Sequence, residues 1–86
     1  MDARVKRLIF RAHHMGMQEN DIFFGAFADR HVPQFTDGQL DRFEVLLAEN
    51  DSDLFDWVTG RQPVPASHDH DVMLLLRSFR LFSGRT

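Results

Sequence analysis

The chain has 86 residues, with 10 basic and 13 acidic side chains, a formal net charge of −3, no cysteine and nine phenylalanines. That length gives one domain around a single core, and the missing cysteines exclude a disulfide framework, thiolate metal sites and cysteine chemistry. No apolar run nears the roughly 20 residues that cross a bilayer, and Met1-Asp2-Ala3-Arg4 opens without a secretory signal, so the expected setting is a bacterial cytoplasm.

Val5, Leu8, Ile9 and Ala12 recur at helical spacing and predict a first amphipathic helix from about Arg4 to His14. Gly16 breaks the pattern, as glycine does where a helix C-cap requires positive φ. Glu19, Asn20 and Asp21 then supply the acceptors and negative charge that a helix N-terminus favours. The second helix carries two apolar stripes, Ile22-Phe23-Ala26-Phe27 and Phe24-Phe27-Ala28-His31, and Pro33 stops it. Thr36 and Gln39 form a capping box opening a third helix that buries Leu40, Phe43, Leu46 and Leu47 and turns Asp41, Arg42 and Glu44 outward. Asn50 to Asp53 cap a short fourth helix with Leu54, Phe55, Trp57 and Val58, which Gly60 closes. Pro63 and Pro65 keep Arg61 to Ala66 extended. Ser67 is expected to cap the last helix, where Val72, Leu75, Leu76, Phe79 and Phe82 align. The fold class is therefore all-α, a compact bundle of about five short helices.

The charge is unevenly placed. Arg4, Lys6, Arg7 and Arg11 make the start basic, Asp37 to Asp56 make the middle acidic, and Arg77, Arg80 and Arg85 make the end basic again. A nucleic-acid binder usually carries a net basic balance, so no nucleic acid is expected as partner. His13-His14 and His68-Asp69-His70-Asp71 invite a metal reading. However, side chains two apart on a helix diverge, so the expectation is that Ser67 and Asp69 cap the helix while both histidines face water. Glu19 and Asp21 can pair across a helix start, but no phosphate loop, nucleophile triad or dinucleotide fingerprint accompanies them. No enzyme activity is expected.

The phenylalanines at helical spacing read as core, and Trp57 as packing of the fourth helix. Met15 and Met17 differ, because they flank a glycine in a turn where no core demands them. Exposed methionines give an adaptable contact surface, while the alternative is that one folds back onto the first helix.

In order along the chain, Arg7-Leu8-Ile9-Phe10-Arg11, Gly16-Met17-Gln18-Glu19-Asn20-Asp21, Gly25-Ala26-Phe27-Ala28-Asp29, Phe43-Glu44-Val45-Leu46-Leu47, the run from Asp51 to Gly60, and Val64-Pro65 resemble the succinate dehydrogenase flavin-assembly factors (the SdhE type, with mitochondrial relatives). The resemblance implies a five-helix bundle that is not an enzyme. It implies binding to the flavoprotein subunit of succinate dehydrogenase, or of fumarate reductase, and promotion of covalent FAD attachment to a histidine of that subunit. The FAD is then carried by the client and no cofactor by this chain, which is expected to be a monomer when free. The family hallmark is Arg-Gly-x-x-Glu in the first interhelical turn. Gly16 and Glu19 match it, while Met15 stands at the arginine position, where a planar cationic fork is replaced by a thioether. The expected docking residues are Met15, Gly16, Met17 and Glu19, with Asp21, Arg7 and Arg11 flanking the same turn. The alternative is a helical interaction module for a different client, without flavinylation activity.

Overall fold

In the computed structural model, which describes residues 2–80, the first helix starts where Asp2 accepts a hydrogen bond from the Arg4 amide at 3.0 Å. Helix α1 spans Ala3–His13, α2 Gln18–His31, α3 Asp37–Leu47, α4 Asp51–Thr59 and α5 Asp71–Ser78, and no strand occurs among the described residues. Short 3-10 turns at Val32–Gln34 and Ala66–His68 punctuate the links after α2 and before α5. The capping box forms as the sequence predicts: Thr36 Oγ1 accepts from the Gln39 amide at 3.2 Å, and Gln39 Oε1 accepts from the Thr36 amide at 2.9 Å. Gly60 closes α4 at φ 81°, in the left-handed region that favours glycine.

Each helix contributes one face to a common core. Val5, Leu8 and Ala12 of α1 meet Phe24, Phe27 and Ala28 of α2, Leu40, Phe43 and Leu46 of α3, Leu54 of α4, and Val72, Met73 and Leu76 of α5. Phe27 is central, with its ring centroid 5.7 Å from Phe43, 6.1 Å from Phe35 and 5.5 Å from Phe79. Burying a side chain of this size contributes about 1.5–3 kcal/mol. The aromatic core thereby supplies stability that a short chain without disulfides needs. Gly25 sets the approach of α1 to α2, since a Cβ there would meet the His13 ring at 2.5 Å. On the surface, Arg4 of α1 pairs with Asp41 and Glu44 of α3 at 2.6 and 3.0 Å, and Arg42 of α3 pairs with Asp71 of α5 at 2.8 Å.

The structure corrects several expectations. Of the two stripes on α2, the one through Phe24, Phe27 and Ala28 is buried, while Ile22 is 55% exposed. At about 100° per residue, position 22 stands on the far side of the helix from 20, 24 and 27. Ser67 does not cap the last helix, because the 3-10 turn that contains it delays the start. His70 is the cap instead, its Nδ1 accepting from the Met73 amide at 3.2 Å. Nor do both nearby histidines face water. His68 is only 3% exposed, its Nε2 lying 2.7 Å from Glu49 Oε2 and its ring centroid 5.3 Å from Trp57, and His70 is half-buried. Phe79 packs against the core from just beyond the end of α5, and Phe82 lies outside the described residues.

Candidate functional site

The link between α1 and α2 is four residues, His14 to Met17. A turn this short leaves backbone amides without helical partners, and an unpaired amide is costly unless something accepts from it. Here two carboxylates from different helices do so. Asp21, in the first turn of α2, accepts from the Met15 amide and, at 3.2 Å, from the Gly16 amide. Asp51, at the start of α4, accepts from the Met17 amide at 3.0 Å. Met17 is the N-cap residue of α2 and offers no side-chain cap of its own. The Asp51 carbonyl also accepts from the side-chain amide of Asn20, a buried polar group, at 2.9 Å.

Gly16 is at φ 106°, a conformation that side chains with a Cβ rarely adopt. A Cβ there would also lie 3.1 Å from Asp51 Oδ2, against the carboxylate that holds the next amide. The glycine is required twice, by its own backbone and by its neighbour. Both reasons make the turn a fixed shape.

Around this frame the expected docking residues divide. Glu19 is exposed on the first turn of α2, beside the turn. It also lines a cleft of about 740 Å³, together with Ile22, Phe23, Phe55, Val58 and Phe79 and the arginines Arg77 and Arg80. Met15 is half-buried and packs against the core, and Met17 is half-buried. The expectation of two exposed methionines gives way to the alternative for Met15. Asp21 is occupied with the turn's amides and shapes the surface from within. Arg11 reaches Glu44 of α3 at 3.7 Å, on the α1–α3 side of the bundle. Arg7 is exposed, with no ion pair among the described residues. The residue that sequence reasoning missed is Asp51, which it took for a cap of its own helix. Asn50 performs that task, accepting from the Ser52 amide at 2.9 Å.

Asp21 engages one carboxylate oxygen, Oδ1, and Asp51 one, Oδ2, on backbone amides, and among the described residues no cluster of three or more histidine or acidic side chains suited to a metal ion occurs. What the arrangement offers among the described residues is a held, partly apolar turn beside an exposed carboxylate, Glu19, on a cleft lined by apolar side chains and two arginines. That is the chemistry of a protein contact.

Residues 6–80 match the family described as the flavinator of succinate dehydrogenase. The chain belongs to this family. Among its relatives are the succinate dehydrogenase assembly factor 2-A, mitochondrial, of Drosophila yakuba, 32% identical over 79 residues, and the assembly factor 2 of Dictyostelium discoideum, 32% identical over 72. A third, the assembly factor 2 of Mycosarcoma maydis, is 36% identical over 69 residues. These alignments cover 90%, 84% and 80% of this chain but 49%, 51% and 29% of the relatives, so the chain spans about half their length or less. The family match takes in the α1–α2 turn and both of its carboxylate clamps. Among the described residues, no helix is long and apolar enough to cross a membrane.

Proposed function

We propose that this chain is an assembly factor that docks on the flavoprotein subunit of succinate dehydrogenase, or of fumarate reductase, through the α1–α2 turn and promotes covalent attachment of FAD to that subunit. The observation that carries this reading is the family match over residues 6–80, joined to a turn held by Asp21 and Asp51. Held turns make good binding surfaces because less ordering entropy is lost on contact. The factor acts without chemistry of its own. It binds preferentially the client conformation in which FAD and its target histidine are aligned, and a tenfold preference shifts that equilibrium by about 1.4 kcal/mol. The isoalloxazine supplies the reactivity, the FAD stays with the client, and this chain carries no cofactor. The free factor is a monomer and acts in the bacterial cytoplasm, where the flavoprotein subunit is assembled.

Co-expression of the flavoprotein subunit with and without this chain tests the reading, with covalent flavin scored by in-gel fluorescence after denaturation. More covalent flavin in the presence of the factor is expected, and equal amounts would remove the proposed activity. Glu19→Ala should lower that flavin yield and weaken docking while leaving thermal stability nearly unchanged, because its side chain is exposed. A second reading, a module for a different client, is favoured by Met15 at the family's arginine position. Recovery of an unrelated protein in place of the flavoprotein subunit in a pull-down would select it.

A further inference from the structure

The start of α4 has more acceptors than it needs. Asn50 already caps the helix, so the Asp51 side chain is not required by its own first turn. It reaches instead across 34 residues of sequence to the Met17 amide. Its backbone carbonyl takes the buried Asn20 amide, and its Oδ2 lies where any Cβ on Gly16 would crowd it. A single residue thus holds the N-cap residue of α2 and the first buried side chain of that helix, and stands where a Cβ on Gly16 would meet it.

We propose that Asp51 is the positioning residue of the docking turn. It fixes the second half of the turn from outside, as Asp21 fixes the first half from within α2, so that Glu19 is presented at one angle and height. The assignment rests on the reading of the turn as the docking surface and extends it to a residue on another helix. The physical role is pre-organisation. With the Met17 amide held, the client meets a turn already in its bound shape. Without the clamp, the turn has to be ordered during binding, and affinity falls by the ordering that binding must then supply. The clamp also ties the turn's geometry to the seating of α4, because the acceptor moves with that helix.

The test is calorimetric binding of the purified chain to the purified flavoprotein subunit of succinate dehydrogenase, with melting temperature recorded for each variant. Asp51→Ala and Asp51→Ser both remove the reach to Met17, serine being too short but compatible with a helix start. Each should weaken docking about tenfold, about 1.4 kcal/mol of turn ordering that binding must then supply. Asp51→Asn keeps an acceptor oxygen and should stay within about threefold of the unaltered chain. Asp53→Ala, which removes a comparable charge from the same helix turn, should bind unchanged and so separates the clamp from a general charge effect. In a double-mutant cycle, Glu19→Ala should lose less affinity in the Asp51→Ser background than alone, because an unheld turn no longer presents Glu19. Additive losses, full affinity in the serine variant, or failure of asparagine to rescue would each overturn the assignment while leaving the docking reading intact. Absence of binding by the unaltered chain would overturn both.

Discussion

Two helix starts in this molecule solve the same problem in opposite ways. At α3 the cap is local: Thr36 and Gln39, three residues apart, satisfy each other's backbone amides. At α2 the cap is imported: Met17 has nothing to offer, and its amide is taken by Asp51 from a helix 34 residues further along. A local cap can form as soon as its own turn forms, and it serves only that helix. An imported cap exists only when the tertiary structure exists, so the segment it holds carries information about the whole fold. That suits a surface that has to be recognised as folded, and it makes the α1–α2 turn sensitive to the seating of α4.

The largest break in this comparison should come from Gly16→Val. The residue sits at φ 106°, so strain alone should remove about 1–3 kcal/mol of stability. The added branch also presses on Asp51, and measurable docking should disappear in a pull-down or calorimetric assay. Retained docking would show that the turn's shape is irrelevant to binding. Thr36→Ala should have a smaller and purely thermodynamic effect. Loss of this cap should remove about 1 kcal/mol, read as a fall of about 4–8 °C in melting temperature, with docking unchanged. Weaker docking at matched fraction folded would mean that the α3 cap is not local after all.

The smallest effect should appear on acidification. Burial, helped by the nearby Arg42, holds the His70 imidazole below its ordinary value of 6.5, and burial with Arg30 does the same for His31. The folded chain then binds fewer protons than the unfolded one as pH falls through about 6.5, so stability declines below that point. For His70 the geometry agrees, since its Nδ1 accepts from the Met73 amide and cannot do so once protonated. Asp71, held below the usual carboxylate range by Arg42 and Gln39, contributes stability that is lost only in a lower window, as pH falls below the unfolded value near 3.8. Both histidines keep some solvent contact, so the melting temperature should drop by only a few degrees between about pH 7.5 and 5.5. His70→Asn, a cap that does not titrate, should flatten part of that slope. An unchanged slope would show that His70 is not protonated differently in the two states.

Local signals explain how much of this was legible from the sequence. The capping box at Thr36, the positive φ at Gly16, the closure of α4 at Gly60 and the burial of Leu40, Leu46, Leu54 and Leu76 depend on neighbours within four residues, and each stands where the spacing predicts, while Leu47 is only half-buried. Long-range choices were not legible. Asp51 and Asn50 are both good cap residues, and only the seating of α4 beside the turn decides which serves its own helix and which reaches away. Ile22 and Phe24 both fit a helical stripe, and the choice between them depends on where α1, α4 and α5 pack. Ser67 reads as a cap until the 3-10 turn at Ala66–His68 shifts the start of α5 and buries His68 beside Glu49 and Trp57. Met15 reads as an exposed contact until the core takes it. In the α1–α2 turn, proposed as the docking surface, Gly16 and Glu19 carried a signal through the family resemblance, whereas Asp51 could be found only once the fold had brought it there.

Site-specific photo-crosslinking to the flavoprotein subunit tests the central claim most directly. A crosslinker carried at position 19, beside the turn, should capture the subunit, while the same group at the exposed positions 45 on α3 and 74 on α5 should not. Capture from position 45 or 74 with none from 19 would place the contact on another face and contradict the account.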